Sequence, residues 1–493
     1  MNEEEGFMKR LVLLVCFATL LLGAAAAANA STEVKMTGDS RIYGVYFANH
    51  NFTGWNTASW SGSNPGSWGH SGTKTEDRFQ LWERFRLRSD FVANEAVKFR
   101  LGIKVEDTWG HGTLTAANST VAISVYQAYL QFKLPNCAVE VTAGLQDLDL
   151  PHSSLFNTSP VFGGDRMAAL TIKAPLIDNT LGLLAGFGRA IDTNRTYDTT
   201  TTQVADEFDV YFLALPVTVD GFKVTPWGMV GVAGSDANYW STGFGQNIVS
   251  AGDFMTPTGW KNNQNAYWWV GGSFEVTALD PVRLYADVIY GAGAQSDRKK
   301  NKREGWFLDA GLEYTGWDVL TPKAFGWWST GEDGSTRNGS ERMAYIHSSW
   351  GAGNSFLFDD TQILGKESNM GVSPVGNWGI GASLDNISFV EKLTSRVTYT
   401  YVRGTNSAKA LRYLNTSLGN NPYFRMGRDL TAEEYVMGVN LDSKYMIYEN
   451  LAAVLETGWA HGQFQTSVWG HRLAERARSA DSWKVAFGLN YKF

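Results

Sequence analysis

The sequence predicts an all-β chain: a transmembrane antiparallel up-and-down β-barrel of about 18 strands, with 16 as the alternative count. Three observations predict it: strict alternation of apolar and polar side chains, connectors that alternate short and long, and a leader-like N-terminus on a chain poor in charge. Charged residues make up 18% of the 493, and the chain carries 52 Gly, 19 Trp, 20 Tyr and 27 Phe; globular domains run nearer ~25% charged. A soluble β-domain can share that composition, so the periodicity decides.

Met8, Lys9 and Arg10 precede an apolar stretch from Leu11 to Ala28 and the triplet Ala28, Asn29, Ala30, the pattern of a signal peptide over residues 1–30. Glu3 to Glu5 do not fit a basic leader, so translation is expected to start at Met8. The alternative is an uncleaved anchor, since the stretch is just long enough to span. Val15 before Cys16 argues against lipidation there. Removing the leader's two basic and three acidic residues from 42 Lys+Arg and 49 Asp+Glu leaves 40 and 46, a net charge of −6, which disfavours nucleic acid as a partner. Cys137 is then the remaining cysteine, which excludes a disulfide framework and a Cys-based zinc site. No later stretch approaches the ~20 apolar residues of a spanning helix.

Between Asp77 and Ala93, Phe79, Leu81, Phe85, Leu87 and Phe91 share one face, while Arg78, Gln80, Arg84, Arg86, Arg88 and Asp90 share the other. The following segment opposes Val97, Phe99, Leu101, Ile103 and Val105 to Lys98, Arg100, Gly102, Lys104 and Glu106. A helix cannot gather either set on one side. Similar segments lie at 35–47, 77–93, 96–109, 121–134, 138–147, 166–175, 180–191, 206–219, 222–235, 266–278, 282–293, 304–315, 321–330, 377–387, 392–405, 431–443, 450–462 and 482–493. Most exceed the ~5 to 6 residues usual in globular strands and suit a tilted membrane crossing, with the apolar face toward lipid and the polar face toward a lumen. Short connectors carry turn residues, as at Pro135-Asn136, Asp178-Asn179, Asp220-Gly221 and Asp280-Pro281. Long ones cover 48–76, 236–265, 331–376 and 406–430. Trp109, Trp227, Trp240, Trp268, Trp306, Trp459 and Trp483 lie near segment ends, where interfacial girdles belong.

The last segment places Trp483, Val485, Phe487, Leu489, Tyr491 and Phe493 on one face and stops at Phe493. With this ending the chain resembles the bacterial outer-membrane porins, in which a terminal aromatic strand is the barrel-assembly signal; the resemblance gives Phe493 and Tyr491 that role. More narrowly, the leader, the strand at 77–93 and the run Pro322-Lys323-Ala324-Phe325-Gly326-Trp327-Trp328 look like the homotrimeric porins of sulfate-reducing bacteria. General porins usually have 16 strands, so a count of 18 departs from them.

Pairing the second and third strands through a three-residue turn at Ala93, Asn94 and Glu95 sets Arg88 against Arg100, Arg84 against Lys104 and Asp90 against Lys98. Like charges opposite one another destabilise a sheet, so the basic cluster of Arg84, Arg86, Arg88, Arg100 and Lys104 calls for an anionic partner or a selectivity role in the pore. The resemblance implies that the connector near 148–165 folds into the barrel and sets Asp147, Asp149 and Asp165 against Arg84, Arg86, Arg88 and Arg100. Those acids are equally compatible with solvent or calcium; His152 reads as a polar loop residue.

The resemblance implies passive diffusion of ions and small hydrophilic solutes across a Gram-negative cell outer membrane, by a homotrimer in contact with lipopolysaccharide and with the barrel-assembly machinery. A substrate-specific channel, for sugars or another nutrient, is the alternative, with Trp55, Trp60, Trp68 and Trp260 available for stacking. A barrel hydrolase or an adhesin ranks lower. The sequence holds no His-Glu-x-x-His motif, no Gly-x-Ser-x-Gly elbow and no phosphate loop. Its seven His are dispersed at 50, 70, 111, 152, 347, 461 and 471. No enzyme activity, no cofactor and no metal-ligand set is expected from it, structural calcium aside.

Overall fold

A computed structural model of the chain describes residues 32–49, 52, 78–109, 123–156, 158–192, 207–234, 265–293, 302–335, 338–348, 350–352, 354–358, 371–417 and 426–493. The leader, Trp240 and the loop residues Trp55, Trp60, Trp68 and Trp260 lie outside these.

Each alternating segment becomes one strand of a closed antiparallel barrel of 18 strands. They are β1 (Glu33–Ala48), β2 (Arg78–Asn94), β3 (Val97–Thr108), β4 (Ile123–Lys133), β5 (Glu140–Leu148), β6 (Asp165–Ile177), β7 (Leu181–Asp192), β8 (Glu207–Ala214, continued by Val217–Val219) and β9 (Phe222–Ala233). β10 (Asn265–Val276), β11 (Val282–Gly293), β12 (Arg303–Tyr314), β13 (Thr321–Ser329), β14 (Asn377–Ile387), β15 (Leu393–Gly404), β16 (Tyr435–Tyr448), β17 (Leu451–Gln463) and β18 (Ser482–Lys492) complete it. Neighbours in sequence pair with one another, and β1 pairs with both β2 and β18, which leaves no open edge for aggregation. Asn136, Asn179 and Gly221 take positive φ at the tight turns, the left-handed conformation that Asn and Gly tolerate best.

The apolar face is outside. Phe79, Phe85, Phe91 and Phe99 of β2–β3 and Val485, Phe487 and Leu489 of β18 are exposed, as a lipid-facing band requires. Trp109, Trp268, Trp306 and Trp483 are exposed too. Rings on adjacent strands touch, with Tyr290 5.3 Å from Trp268 and 4.7 Å from Trp306. Trp459 is half-buried and donates to Asp481 (2.9 Å). Trp227 departs from the girdle: it is buried inside, filling the space over Gly271, whose missing Cβ would lie 2.6 Å from the indole.

The seam closes at the C-terminus. Gly38 of β1 and Phe493 exchange backbone hydrogen bonds (2.8 and 3.1 Å). The Phe493 ring stacks on Tyr491 and Phe85 and covers Gly38, where a Cβ would come within 2.3 Å of it.

The expected β2–β3 register is corrected by two residues. A bulge between Val92 and Asn94 moves the turn to Glu95-Ala96, with Asn94 Oδ1 accepting the Ala96 N–H (2.8 Å). Arg84 then faces Glu106, Asp90 faces Arg100, Arg88 faces Gly102 and Arg86 faces Lys104. The observed register exchanges the like-charge pairs Arg88–Arg100 and Arg84–Lys104 for Arg86–Lys104 and Glu83–Asp107, and raises the attractive pairs from the single Asp90–Lys98 to Arg84–Glu106 and Asp90–Arg100, the direction cross-strand electrostatics favours. The largest shift of a segment is at β16, read as 431–443: the Glu434 carboxylate accepts the Thr431 N–H (2.9 Å) and holds those residues as a cap before the strand.

Two connectors fold into the lumen. Phe162–Gly163 of the β5–β6 connector pairs in parallel with His347–Ser348 of the β13–β14 connector. Ile346 N–H donates to Val161 O (2.8 Å), and Ser348 Oγ to Ser159 O (3.0 Å). These bonds satisfy backbone groups withdrawn from water. The apolar side chains of both connectors, including Phe156, Trp350, Phe356 and Phe358, join one buried cluster with inward residues of β8 to β17. Short amphipathic helices, α1 (Ala408–Ser417), α2 (Thr466–Trp469) and α3 (His471–Ser479), lie in the connectors after β15 and β17.

Candidate functional site

The lumen has two unlike walls. On β1–β3 the inward positions are charged and wet: Arg84, Arg86, Arg88, Arg100 and Lys104 keep between 19% and 32% of their side-chain exposure. Asp39 of β1, nearly buried, is the anion among them. It accepts from Arg84 Nη2 (3.4 Å), Arg86 Nη2 (2.8 Å) and Arg88 Nη2 (2.9 Å). Arg41, two residues on, stands directly across from Arg84. Four guanidiniums therefore surround one carboxylate, and the Nε atoms of Arg41, Arg84 and Arg88 are buried without a partner. Next to them Asp90 holds Arg100 through two 2.6 Å bonds, and Glu106 holds Lys104 (2.7 Å). Arg166 of β6 lies over the Tyr126 ring (4.6 Å), with Arg86 over the same ring at 6.0 Å.

The opposite wall is dry and packed. Trp350 touches Phe156 (5.5 Å), Phe307 (5.1 Å), Trp327 (5.3 Å) and Phe358 (5.7 Å). Ring nitrogens there find acceptors: Trp269 donates to Ala344 O (2.7 Å) and Trp327 to Asn377 Oδ1 (2.6 Å). Several of its buried ions are paired, Lys484 with Glu456 (3.0 Å), Arg396 with Asp442 (2.6 Å) and Arg342 with Asp429 (2.9 Å). Between the β5–β6 connector and β13–β15 remains a cavity of about 190 Å³ lined by Phe156, Lys323, Phe325, Asp385 and Arg396 among others.

Asp147 and Asp149 find partners other than the Arg84, Arg86, Arg88 and Arg100 that the resemblance would set against them. Asp147 pairs with Arg166 (2.9 Å) and accepts from Gln127 (2.6 Å). Asp149 stands at the base of the connector, where its carboxylate accepts the Ser159 N–H (3.3 Å); partial desolvation pushes that carboxyl up to about 6. Asp165 opens β6 opposite Leu148, and its side chain lies outside the described residues. The connector itself crosses to the far wall, where His152 lies 3.3 Å from both Asp287 of β11 and Asp309 of β12; burial holds its ring below the ordinary imidazole range. The physical reason lies in the connector's own composition. Leu150, Leu155, Phe156, Val161 and Phe162 gain by joining an apolar wall, and the acids stay behind at its foot.

Sequence reasoning missed Asp39 and Arg41 as site residues. Their signal was present, since both fall on the polar face of the alternating segment 35–47. The grouping of His152, Asp287 and Asp309 had no local signal, because the acids lie 135 and 157 residues away in number.

A closed barrel of this strand count, with a charged wall inside and an apolar band outside, has the architecture of a transmembrane β-barrel. The solved structures it is similar to agree. It is similar to the outer membrane protein OprD from Pseudomonas aeruginosa, with 12% identity, a TM-score of 0.51, and coverage of 95% of this chain and 96% of that one. It is similar to OccK11 (OpdR) of the same organism at 9% identity and TM-score 0.50, covering 95% and 98%, and to OccD3 (OpdP) at 11% and 0.50, covering 95% and 93%. These relatives in fold are outer-membrane barrels and not enzymes. No family model and no curated protein matches the sequence.

Proposed function

We propose that the chain is a substrate-specific outer-membrane channel for small anionic solutes, carboxylates above all, which pass along the basic wall of β1–β3. The observation that carries this is the pairing of an incompletely neutralised arginine cluster, Arg41, Arg84, Arg86 and Arg88 around Asp39, with connector side chains packed against the opposite inner wall. A wide diffusion pore leaves its lumen open. Here the packed wall leaves the charged one as the wet route, and fixed cations beside a low-dielectric wall concentrate anions. The guanidinium fork suits a carboxylate bidentately. The likeness to the OprD-type fold supports this reading over a general porin.

The leader at 1–30 then directs export, and the trimer stays with the resemblance to the homotrimeric porins; intact mass and cross-linking of purified protein test both. The functional test is single-channel recording in planar bilayers. The reading expects small anion-preferring steps that a triple R84Q/R86Q/R88Q variant turns cation-preferring. Large steps with no ion preference, unchanged in the variant, would return the chain to the general porins.

A further inference from the structure

We propose that His152, Asp287 and Asp309 form a binding site for one divalent transition-metal ion of the zinc type, which fastens the β5–β6 connector to the far wall of the barrel. This goes beyond the channel reading and does not rest on it.

Asp287 and Asp309 are direct cross-strand partners on β11 and β12. Their side chains are 1% and 0% exposed. Two carboxylates in that position repel, and burial removes the water that would screen them. Among the described residues, no Lys or Arg forms an ion pair with either. Ser153 donates its N–H (3.0 Å) and its hydroxyl to Asp287, and Trp350 donates to Asp309 Oδ2 (3.3 Å). Asp309 Oδ1 is buried with no partner at all. The cluster therefore lacks positive charge and carries an unused ligand atom.

The geometry points to what supplies both. The three donor atoms lie within 4.8 Å of one another. His152 Nε2 stands 3.3 Å from Oδ2 of each acid; it makes a long hydrogen bond with Asp309, and a single ring N–H cannot point at both oxygens. Two ligands each about 2.0 to 2.1 Å from a tetrahedral ion are about 3.3 Å apart, the separation seen here. One imidazole nitrogen with two carboxylate oxygens is a zinc-type donor set, whereas calcium and magnesium take shells of six or more oxygens. The Ser153 contacts orient Asp287 in the way outer partners orient metal ligands.

The test uses the full chain, purified in detergent, stripped with chelator, and titrated with zinc alone; bound metal is counted after desalting. About one equivalent per chain is expected for the wild type and for Asp39→Asn, and its loss in His152→Ala and in Asp309→Asn. His152 sits on a connector, so its variant keeps the barrel; circular dichroism confirms this for each protein. Single-channel recordings supply a second readout. Zinc should quieten current fluctuations in the wild type and leave those of His152→Ala unchanged. Failure to retain zinc, or equal retention by wild type and both variants, overturns the proposal.

Discussion

Replacing Asp39 by Asn tests the electrostatics of the basic wall with one atom changed in kind. The carboxylate is 4% exposed and within 3.4 Å of three guanidiniums, so its loss raises the local charge by one unit beside the wet route. At about 6 Å and the dielectric of water, a unit charge is worth about 0.7 kcal/mol. Against an RT of ~0.59 kcal/mol that is roughly a threefold enrichment of anions over the wild type. The assay is the reversal potential under a salt gradient. The same potential depletes cations about threefold, so with ~0.1 M salt on the dilute side, where screening extends over about 10 Å, the anion-to-cation permeability ratio should rise by up to about tenfold, and near 1 M the rise should vanish. Arg86→Gln should shift the ratio the other way by a similar factor. An Asp39→Asn channel with unchanged selectivity at low salt, or one shifted toward cations, would refute the placement of the route along β1–β3.

Gly458 of β17 lies under Phe356, whose ring would meet an added Cβ at 2.5 Å. Gly458→Val should cost about 1 to 3 kcal/mol of packing, displace the 354–358 segment and raise single-channel conductance. Phe493→Ala removes the ring stacked on Phe85 and Tyr491 and should lower the yield of folded barrel in the membrane, read by heat-modifiable migration in gels. Glu332, in the β13–β14 connector, is pushed up to about 7 by burial, with Arg342 and Arg303 opposing the shift. A carboxyl raised in the folded state stabilises fully below its ordinary range and loses that contribution as pH rises through the folded value. With the intrinsic pH dependence of exchange divided out, the connector amides should therefore be better protected at pH 5 than at pH 8, and Glu332→Gln should remove most of that difference in protection.

The strands were legible because the alternation that buries Arg84, Arg86 and Arg88 away from lipid is local and survives in any register. The pairing was less so. One residue of bulge at Val92–Asn94 was enough to exchange an Arg88–Arg100 pairing for Asp90–Arg100, and a bulge has no signature stronger than an Asn near a turn. Asp39 was visible as a polar-face residue but not as the partner of the cluster, because a long connector separates β1 from β2 and leaves their register unset by any turn. Trp227 shows the limit of reading aromatics by position: only the neighbouring Gly271, brought beside it by β9–β10 pairing, makes room for it inside. The crossing of the β5–β6 connector to β11 and β12 depends on contacts more than 130 residues apart, which composition alone does not encode.

The central claim is that anionic charge, and not size alone, governs passage. Its most direct test is uptake into proteoliposomes of matched solutes, a dicarboxylate against its diamide of nearly equal size. The account predicts faster entry of the dicarboxylate through the wild type and convergence of the two rates in R84Q/R86Q/R88Q. Equal rates through the wild type, or a preference for the dicarboxylate that survives in the triple variant, would contradict it.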